Sequence, residues 1–566
     1  MAIRSQSSSR GSRLTRRLAI RNAALGGAAM GAVFIAACGG DGSSTTSGSG
    51  AQSLASQTPG PGAGETPQPG GTYLNIDNVA ATHRSPYHSG YEASQVRPMF
   101  QDYYDILWAK RLSGPDPLKL ELAESYEQVD PSHVVVTIKQ GTRFHNRAPV
   151  SGREVTAEDI AQDIEFVRDV NVGKANYNTT FIRGDLTGPP EVVDPHTLRF
   201  ETKGPRAYFF DSDQVAVSIV PKEMLNEQTL KESPQVGSGP WEFKDERQGS
   251  SYDAARNPTY RVAGQPYPDG VRLTIVPDNA AMEAAFRTGQ THRLRFNSIR
   301  DRDLVVRDLG DKIYVRAEPS FSVVGVVLNM FRKEWQDVRV REAVWKAIDR
   351  QRLINVVQFG DGYLAGYIPS DLKELALPMS EVEPSMTLDR ARARQLLDAA
   401  GFPFDKEFVM PLPVEAQFYV DSGRLIAEDL AQVGIKTKLE PTPRTLYIQR
   451  VGMEPGEYDI SLWPFQGSNV RQQMRLLHSK EGSFQESFSL NDPEIDALVE
   501  RHEQELDAQE WLKLGQQIQR LQFQRWANWI PTYSYNNYTA YASVVKGLDF
   551  TPGARNYQLG RWIEKS

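Results

Sequence analysis

The sequence predicts an α/β protein built from more than one sheet. Three observations carry that expectation. Short runs rich in β-branched residues, such as "VVVTIK" (Val134 to Lys139) and "VRLTIVPD" (Val271 to Asp278), end at turn residues and read as strands. Segments with apolar residues at helical spacing lie between them. One run, "FSVVGVVLN" (Phe321 to Asn329), is almost continuously apolar, as in a strand buried on both faces. Strands interleaved with helices imply an α/β protein with more than one sheet, and the roughly 500 residues past the N-terminal region imply two or three domains.

Taken in order, "VVVTIK" runs into a turn at Gly141. Thr156-Ala157-Glu158-Asp159 has the form of a capping box with Asp in the usual Glu place, and Ile160, Ile164 and Val167 follow on one helical face. "VDPHTLRFETKG" (Val193 to Gly204) reads as a proline turn and a short strand. A short helix is expected over Ala280 to Thr288, ending at Gly289. The helix after the apolar strand carries Val340, Val344, Ala347 and Ile348 on one face, with Trp345 off it and packed or half exposed. A further helix runs from about Asp389 to Ala400 and stops at Gly401, a natural C′ position.

The N-terminus has a different character. Six arginines and no acidic residue precede Asp41, and Ala23 to Ala37 is apolar but short for a membrane span. A basic region before a short apolar one is the layout of an export signal. Ile35-Ala36-Ala37-Cys38 resembles the lipobox of bacterial lipoproteins, with Cys38, the chain's only cysteine, as the lipidation site. Arg16 and Arg17 sit in a stretch that resembles a twin-arginine signal. From Gly39 to Gly71 the chain is nearly all Gly, Ser, Thr, Pro, Ala and Gln, a flexible tether. The expected location is the outer face of the cytoplasmic membrane, held through lipid.

Formal net charge is −7, and removing the leader's six arginines lowers it to −13. That argues against a nucleic-acid partner. Catalytic signatures are incomplete. His502-Glu503 lacks a second His at position 506, where Leu506 stands, and no G-x-S-x-G occurs. Gly173-Lys174 and Gly237-Ser238-Gly239 complete neither a phosphate loop nor a dinucleotide fingerprint. The eight histidines are dispersed, so no helix-borne metal site is indicated and no cofactor is expected.

Several blocks together resemble the extracytoplasmic solute-binding proteins of family 5, the peptide/nickel-binding family of ABC importers. They are "LAESYEQVDPSHVVVTIKQGTRFHNRAPVSGREVTAEDI" (Leu122 to Ile160), "GSGPWEF" (Gly237 to Phe243), "RNPTYRVAGQPYPDGVRLTIVPD", "VRVREAVWKAIDRQRLI" (Val338 to Ile354), "ARARQLLDAAGF" (Ala391 to Phe402) and "DPEIDALVER" (Asp492 to Arg501). The resemblance implies a two-lobed periplasmic-binding-protein-like fold with a hinge and an extra small subdomain. It implies a signal over 1–37, a lipidated linker over 38–71, one lobe from 72–106, 231–330 and 531–566, a small subdomain over 107–230 and a second lobe over 331–530. Crossing strands near Val323 to Asn329 and Ile530 to Tyr535 would be the hinge, and Asp349-Arg350 a polar pair at a helix end.

By the same resemblance the protein is a lipid-anchored, monomeric substrate-binding component that serves an ABC permease. It captures a small solute, a peptide or a sugar, and is not an enzyme. An extracellular hydrolase on a similar scaffold and a sensor-type binder that docks a receptor are the alternatives. Ligand contacts are expected in aromatic, irregular segments: Tyr87, His88 and Tyr91 in one, Tyr363 in a second, and Asn329 at the hinge strand's end. In "EYDISLWPFQGSNV" they are Tyr458, Trp463, Phe465, Ser468 and Asn469. Peptide-binding relatives carry an Asp late in this last stretch, for the peptide's α-amine. Gln466, Gly467, Ser468 and Asn469 stand there instead, which makes a neutral ligand as plausible as a free peptide.

Overall fold

The computed structural model describes residues 62, 64–81, 83–87, 103–110, 118–170, 185–206, 209–210, 218–296, 298–372, 374–414, 417–453, 457–466, 474–480, 490–548 and 561–564. Cys38, Arg16, Arg17, His88, Tyr91, Ser468 and Asn469 lie outside the described residues.

Strand order departs from chain order in the first and third sheets, so distant segments build those layers. One four-stranded sheet runs Thr72–Asp77, Gly270–Ile275, Ser251–Arg256, Trp241–Arg247. Its first pair is parallel, with Thr72 opposite Gly270, and the others are antiparallel. A second, wholly antiparallel sheet runs Ala123–Asp130, His133–Ile138, Thr197–Glu201, Glu191–Asp194. The helix Ala157–Val170 starts where the capping box places it: the Asp159 carboxylate accepts from Thr156 N at 3.0 Å and from its Oγ1 at 2.9 Å. Ile160 and Ile164 of this helix, Val136 and Ile138 of the second sheet, and Trp241, Tyr252 and Leu273 of the first share one core.

The third sheet decides the architecture. Its order is Arg293–Arg295, Trp529–Ala542, Ile313–Leu328, Ile460–Gln466, with Tyr363–Leu364 also pairing to Trp529–Ala542. The two long strands are antiparallel along most of their length. At one end Ile313 and Val315 join a small core with Ile76, Phe286 and Val305. At the other, Val323 to Leu328 are fully buried in the largest core, as the apolar run requires. Between them Ala317 to Ser322 are only half-buried. A two-stranded ribbon thus passes from one packed body to another, in a molecule of two α/β lobes.

The second body adds a parallel pair, Glu407–Pro413 and Lys436–Thr442, connected through the helix Gln417–Ala431. Asp389 caps Arg390–Ala400, which ends at Gly401 with φ +64°. Asp492 caps Pro493–Gln504. Trp345, on Val338–Ala347, is wholly buried rather than half exposed. Neighbours cover this helix on more than its apolar face, and Trp345 Nε1 donates to Ala527 O at 2.9 Å. Ile348 lies just past the helix end and is buried too.

Asp349 caps the next helix, Arg350–Val357. Its neighbour Arg350 is the first residue of that helix, so the two are a helix-end polar pair, and its guanidinium is buried and donates to Pro531 O, Trp345 O and Met386 O at 2.9 to 3.0 Å. Burial pulls its pKa down to about 9, so it stays charged at neutral pH.

Candidate functional site

The middle of the ribbon is where apolar packing gives way. Pro319 has no N–H to donate, and the ladder changes register between Pro319 and Val323. Phe321 there adopts φ +51°, a left-handed conformation that is strained for a bulky residue. Hydroxyls take over the hydrogen bonding. Ser322 N donates to Ser320 Oγ at 3.1 Å, and Ser534 Oγ, on the opposite strand, donates to Ser322 O at 2.8 Å. Ser320 Oγ and Ser534 Oγ are 3.3 Å apart.

Aromatic residues surround this break. Tyr533 OH and Ser422 Oγ are 2.8 Å apart. The rings of Tyr535 and Phe418 lie at 5.4 Å, and those of Phe418 and Tyr419 at 4.4 Å. Burial raises the phenol pKa of Tyr419, Tyr533 and Tyr535, so all three remain neutral donors. Arg295 and Arg444 oppose that rise at Tyr535 through their charge. Arg295 comes from the first body and donates to Asn537 Oδ1 at 3.0 Å, while Arg444 belongs to the second. Tyr533 and Ser534 are fully buried beneath the break, while Ser320, Tyr535, Phe418 and Tyr419 are half-buried and Arg295 and Arg444 are exposed, so the accessible part offers ring faces, hydroxyls and two cations. It suits stacking and hydrogen bonding to an organic solute. Among the described residues no group of three or more His, Cys, Asp or Glu could hold a metal ion.

The residues singled out in the sequence are dispersed. Tyr363 comes nearest the break: it pairs with Ser534 through the backbone and its OH donates to Asp371. Trp463 is 8% exposed, inside the largest core, with its ring stacked on Tyr447 at 5.7 Å. Phe465 is buried against Trp529 at 5.0 Å. Tyr458 is buried in the same core. Asn329 is fully buried and closes a turn, donating to Tyr458 O at 2.8 Å and accepting from Phe331 N at 3.0 Å. Tyr87 belongs to the other body, where its OH sits 2.5 Å from Asp163 Oδ1 and 2.7 Å from Ser218 O.

Phe418, Tyr419, Tyr533, Ser534 and Tyr535, which gather at the break, are not among the residues singled out in the sequence. A signal existed in "TYSYNN" (Thr532 to Asn537), where tyrosines alternate with small polar residues inside a strand. Such alternation marks a strand with one buried face, whereas here Tyr533 and Ser534 are both buried and exposure begins at Tyr535.

Known proteins share this architecture. The oligopeptide-binding protein AppA of Bacillus subtilis (strain 168) is 23% identical over 470 residues, covering 79% of this chain and 83% of its own. Heme-binding protein A of Haemophilus influenzae is 24% identical over 463 residues, covering 78% and 83%. The structure of AppA with a nonapeptide superposes with a TM-score of 0.74 at 22% identity, covering 88% of this chain and all of that one. DppA of Helicobacter pylori with the peptide STSA also gives 0.74, at 19% identity and 88% and 99% coverage. The model of the "Bacterial extracellular solute-binding proteins, family 5 Middle" matches residues 118–483, more than half of the chain. The chain therefore belongs to family 5 of the bacterial extracellular solute-binding proteins.

Proposed function

We propose that this substrate-binding component of an ABC importer captures an oligopeptide between its two lobes and presents it, unreacted, to a membrane permease. The observation that carries the reading is the ribbon Ile313–Leu328 and Trp529–Ala542. It joins two separately packed cores and loses its ladder where Ser320, Ser534, Tyr533 and Tyr535 gather. Strands of this kind let two bodies rotate while their cores stay intact. Peptide ranks above sugar because AppA and DppA, reported above, were solved with peptides. Neutral tyrosine and serine hydroxyls would bond the peptide backbone, and the ring faces would take its side chains. One lobe would comprise 72–106, 231–330 and 531–566, and the other 331–530, with 107–230 as the small subdomain. The last boundary falls inside the strand Trp529–Ala542.

Anchoring is proposed through lipid on Cys38, with export directed by Arg16 and Arg17. No described helix is long and apolar enough to cross a membrane. A thermal-shift screen of oligopeptides, sugars and metal chelates tests the reading. Binding to the folded state at a hundredfold excess over Kd adds about 2.7 kcal/mol of stability. Stabilisation by peptides with no product formed is the expected result. Stabilisation by sugars alone, or turnover of a hit, overturns it.

A further inference from the structure

Outside the ribbon, four charged side chains meet in one chain of contacts. Asp185 Oδ1 accepts from Arg206 Nε at 2.9 Å, and its Oδ2 accepts from Arg475 Nη1 at 2.5 Å. Arg475 Nε in turn lies 3.5 Å from Glu503 Oε1. All four are withdrawn from solvent, with side-chain exposures of 0% for Asp185, 13% for Arg206, 10% for Arg475 and 4% for Glu503. Asp185 and Arg206 flank Leu186 and Phe209 of the first body's core. Arg475 sits between Met474 and Leu476, and Glu503 follows Val499, in the core of the second. The 2.5 Å contact therefore crosses between the bodies, over 290 residues of chain.

Resting on the solute-binding reading, we propose that Asp185, in the small subdomain that shares a core with the first lobe, and Arg475, in the second lobe, form a latch that sets how much of the empty protein is closed, and through that its affinity for solute. The arrangement of charges makes the latch reversible. Removing one member of a buried ion pair ordinarily leaves an uncompensated charge and is strongly unfavourable. Here each half keeps a partner when the lobes part: Asp185 stays on Arg206, and Arg475 stays beside Glu503. Opening breaks the middle contact without stranding either charge. A buried, charge-assisted contact also gains from low local dielectric, so it forms only when closure excludes water. Neither residue needs to touch the solute. Apparent affinity is the intrinsic affinity scaled by the closed, competent fraction, so a tenfold drop in that fraction weakens binding about tenfold.

Small-angle X-ray scattering of the purified, solute-free full chain tests this. Arg475→Gln removes the interlobe cation and is expected to raise the radius of gyration while the circular dichroism spectrum stays that of the wild type. An unchanged radius with an unchanged spectrum overturns the latch. If Arg475→Gln fails to fold, Arg475→Lys keeps the charge on a shorter reach and loses the two-pronged guanidinium. It is expected to give a smaller expansion, and an unchanged radius in that folded variant likewise overturns the proposal. No solute enters the measurement, so its failure would leave the solute-binding reading standing, and the reverse also holds.

Discussion

His145 and Gly237 are bonded to each other twice across 92 residues of chain. Gly237 N donates to His145 Nδ1 at 3.2 Å, and His145 N donates to Gly237 O at 2.7 Å. The other ring nitrogen, Nε2, lies 3.1 Å from Gly239 O and donates to it. A ring that accepts at Nδ1 and donates at Nε2 is neutral, and burial pulls its pKa down to about 4. A Cβ on Gly237 would stand 2.1 Å from Tyr103 O, so only glycine fits there. Two blocks that resemble the family separately are thus one structural unit.

The first prediction follows from that ring. Because the folded pKa lies below the unfolded value near 6.5, the unfolded state binds the extra proton. Stability from this group is present above pH 6.5 and lost as pH falls toward 4. Between pH 7.5 and 4.5 the loss is on the order of 2–3 kcal/mol. Urea unfolding of wild type and His145→Gln at both pH values checks this: the wild type's advantage should shrink in acid. A constant difference would rule it out.

Asp163 should behave oppositely. It is wholly buried, and desolvation holds its pKa well above the carboxylate range. The Tyr87 hydroxyl, 2.5 Å from Asp163 Oδ1 and 2.7 Å from Ser218 O, opposes that rise without cancelling it. Its folded pKa is the higher one, so this group's contribution is present below the ordinary value near 3.8 and falls as pH rises above it. Asp163→Asn, an uncharged near-isostere, should raise the melting temperature at pH 7.5 and give no gain near pH 3.5. Equal effects at both pH values would contradict the assignment.

Arg350 holds carbonyls of three segments together. Arg350→Met fills similar volume but leaves those acceptors dry. At about 1–3 kcal/mol per unsatisfied buried group, the variant should lose about 3 kcal/mol or more in chemical denaturation. A loss under about 1 kcal/mol would mean that water replaces the guanidinium.

Trp463→Ala should act first on the fold. Its ring lies inside the largest core against Tyr447, so truncation should cost roughly 3–5 kcal/mol of stability. Urea unfolding reads that loss. Calorimetry with a peptide found in the screen reads contact with solute: a ligand contact adds a weakening of about 2 kcal/mol or more.

Cys38→Ser should abolish membrane retention, because the lipobox-like run ends there. Detergent-phase partitioning of the two proteins decides, and equal retention refutes lipid anchoring. Arg16→Lys with Arg17→Lys should block export by the twin-arginine route, and normal export of that variant would remove the route alone.

The sequence by itself determined what is local. Thr156 and Asp159, Asp389 and Gly401, and Asp492 set helix ends through contacts three or four residues apart, so their chemistry shows in any short window. The continuous apolar run fixed a strand buried on both faces at Val323 to Leu328. The order of the blocks carried the two-lobed family resemblance. Tertiary structure alone decided burial and partnership. Asn329 reads as a cleft residue, Arg350 as half of a helix-end polar pair and Trp345 as packed or half exposed, and each is enclosed by segments far along the chain. The step from buried Tyr533 and Ser534 to half-buried Tyr535 depends on where a strand leaves one core for another. The meeting of Asp185 with Arg475 depends on how two bodies close. Helix and strand signals come from the chain's own period, but what covers a side chain is set by elements that the period does not encode.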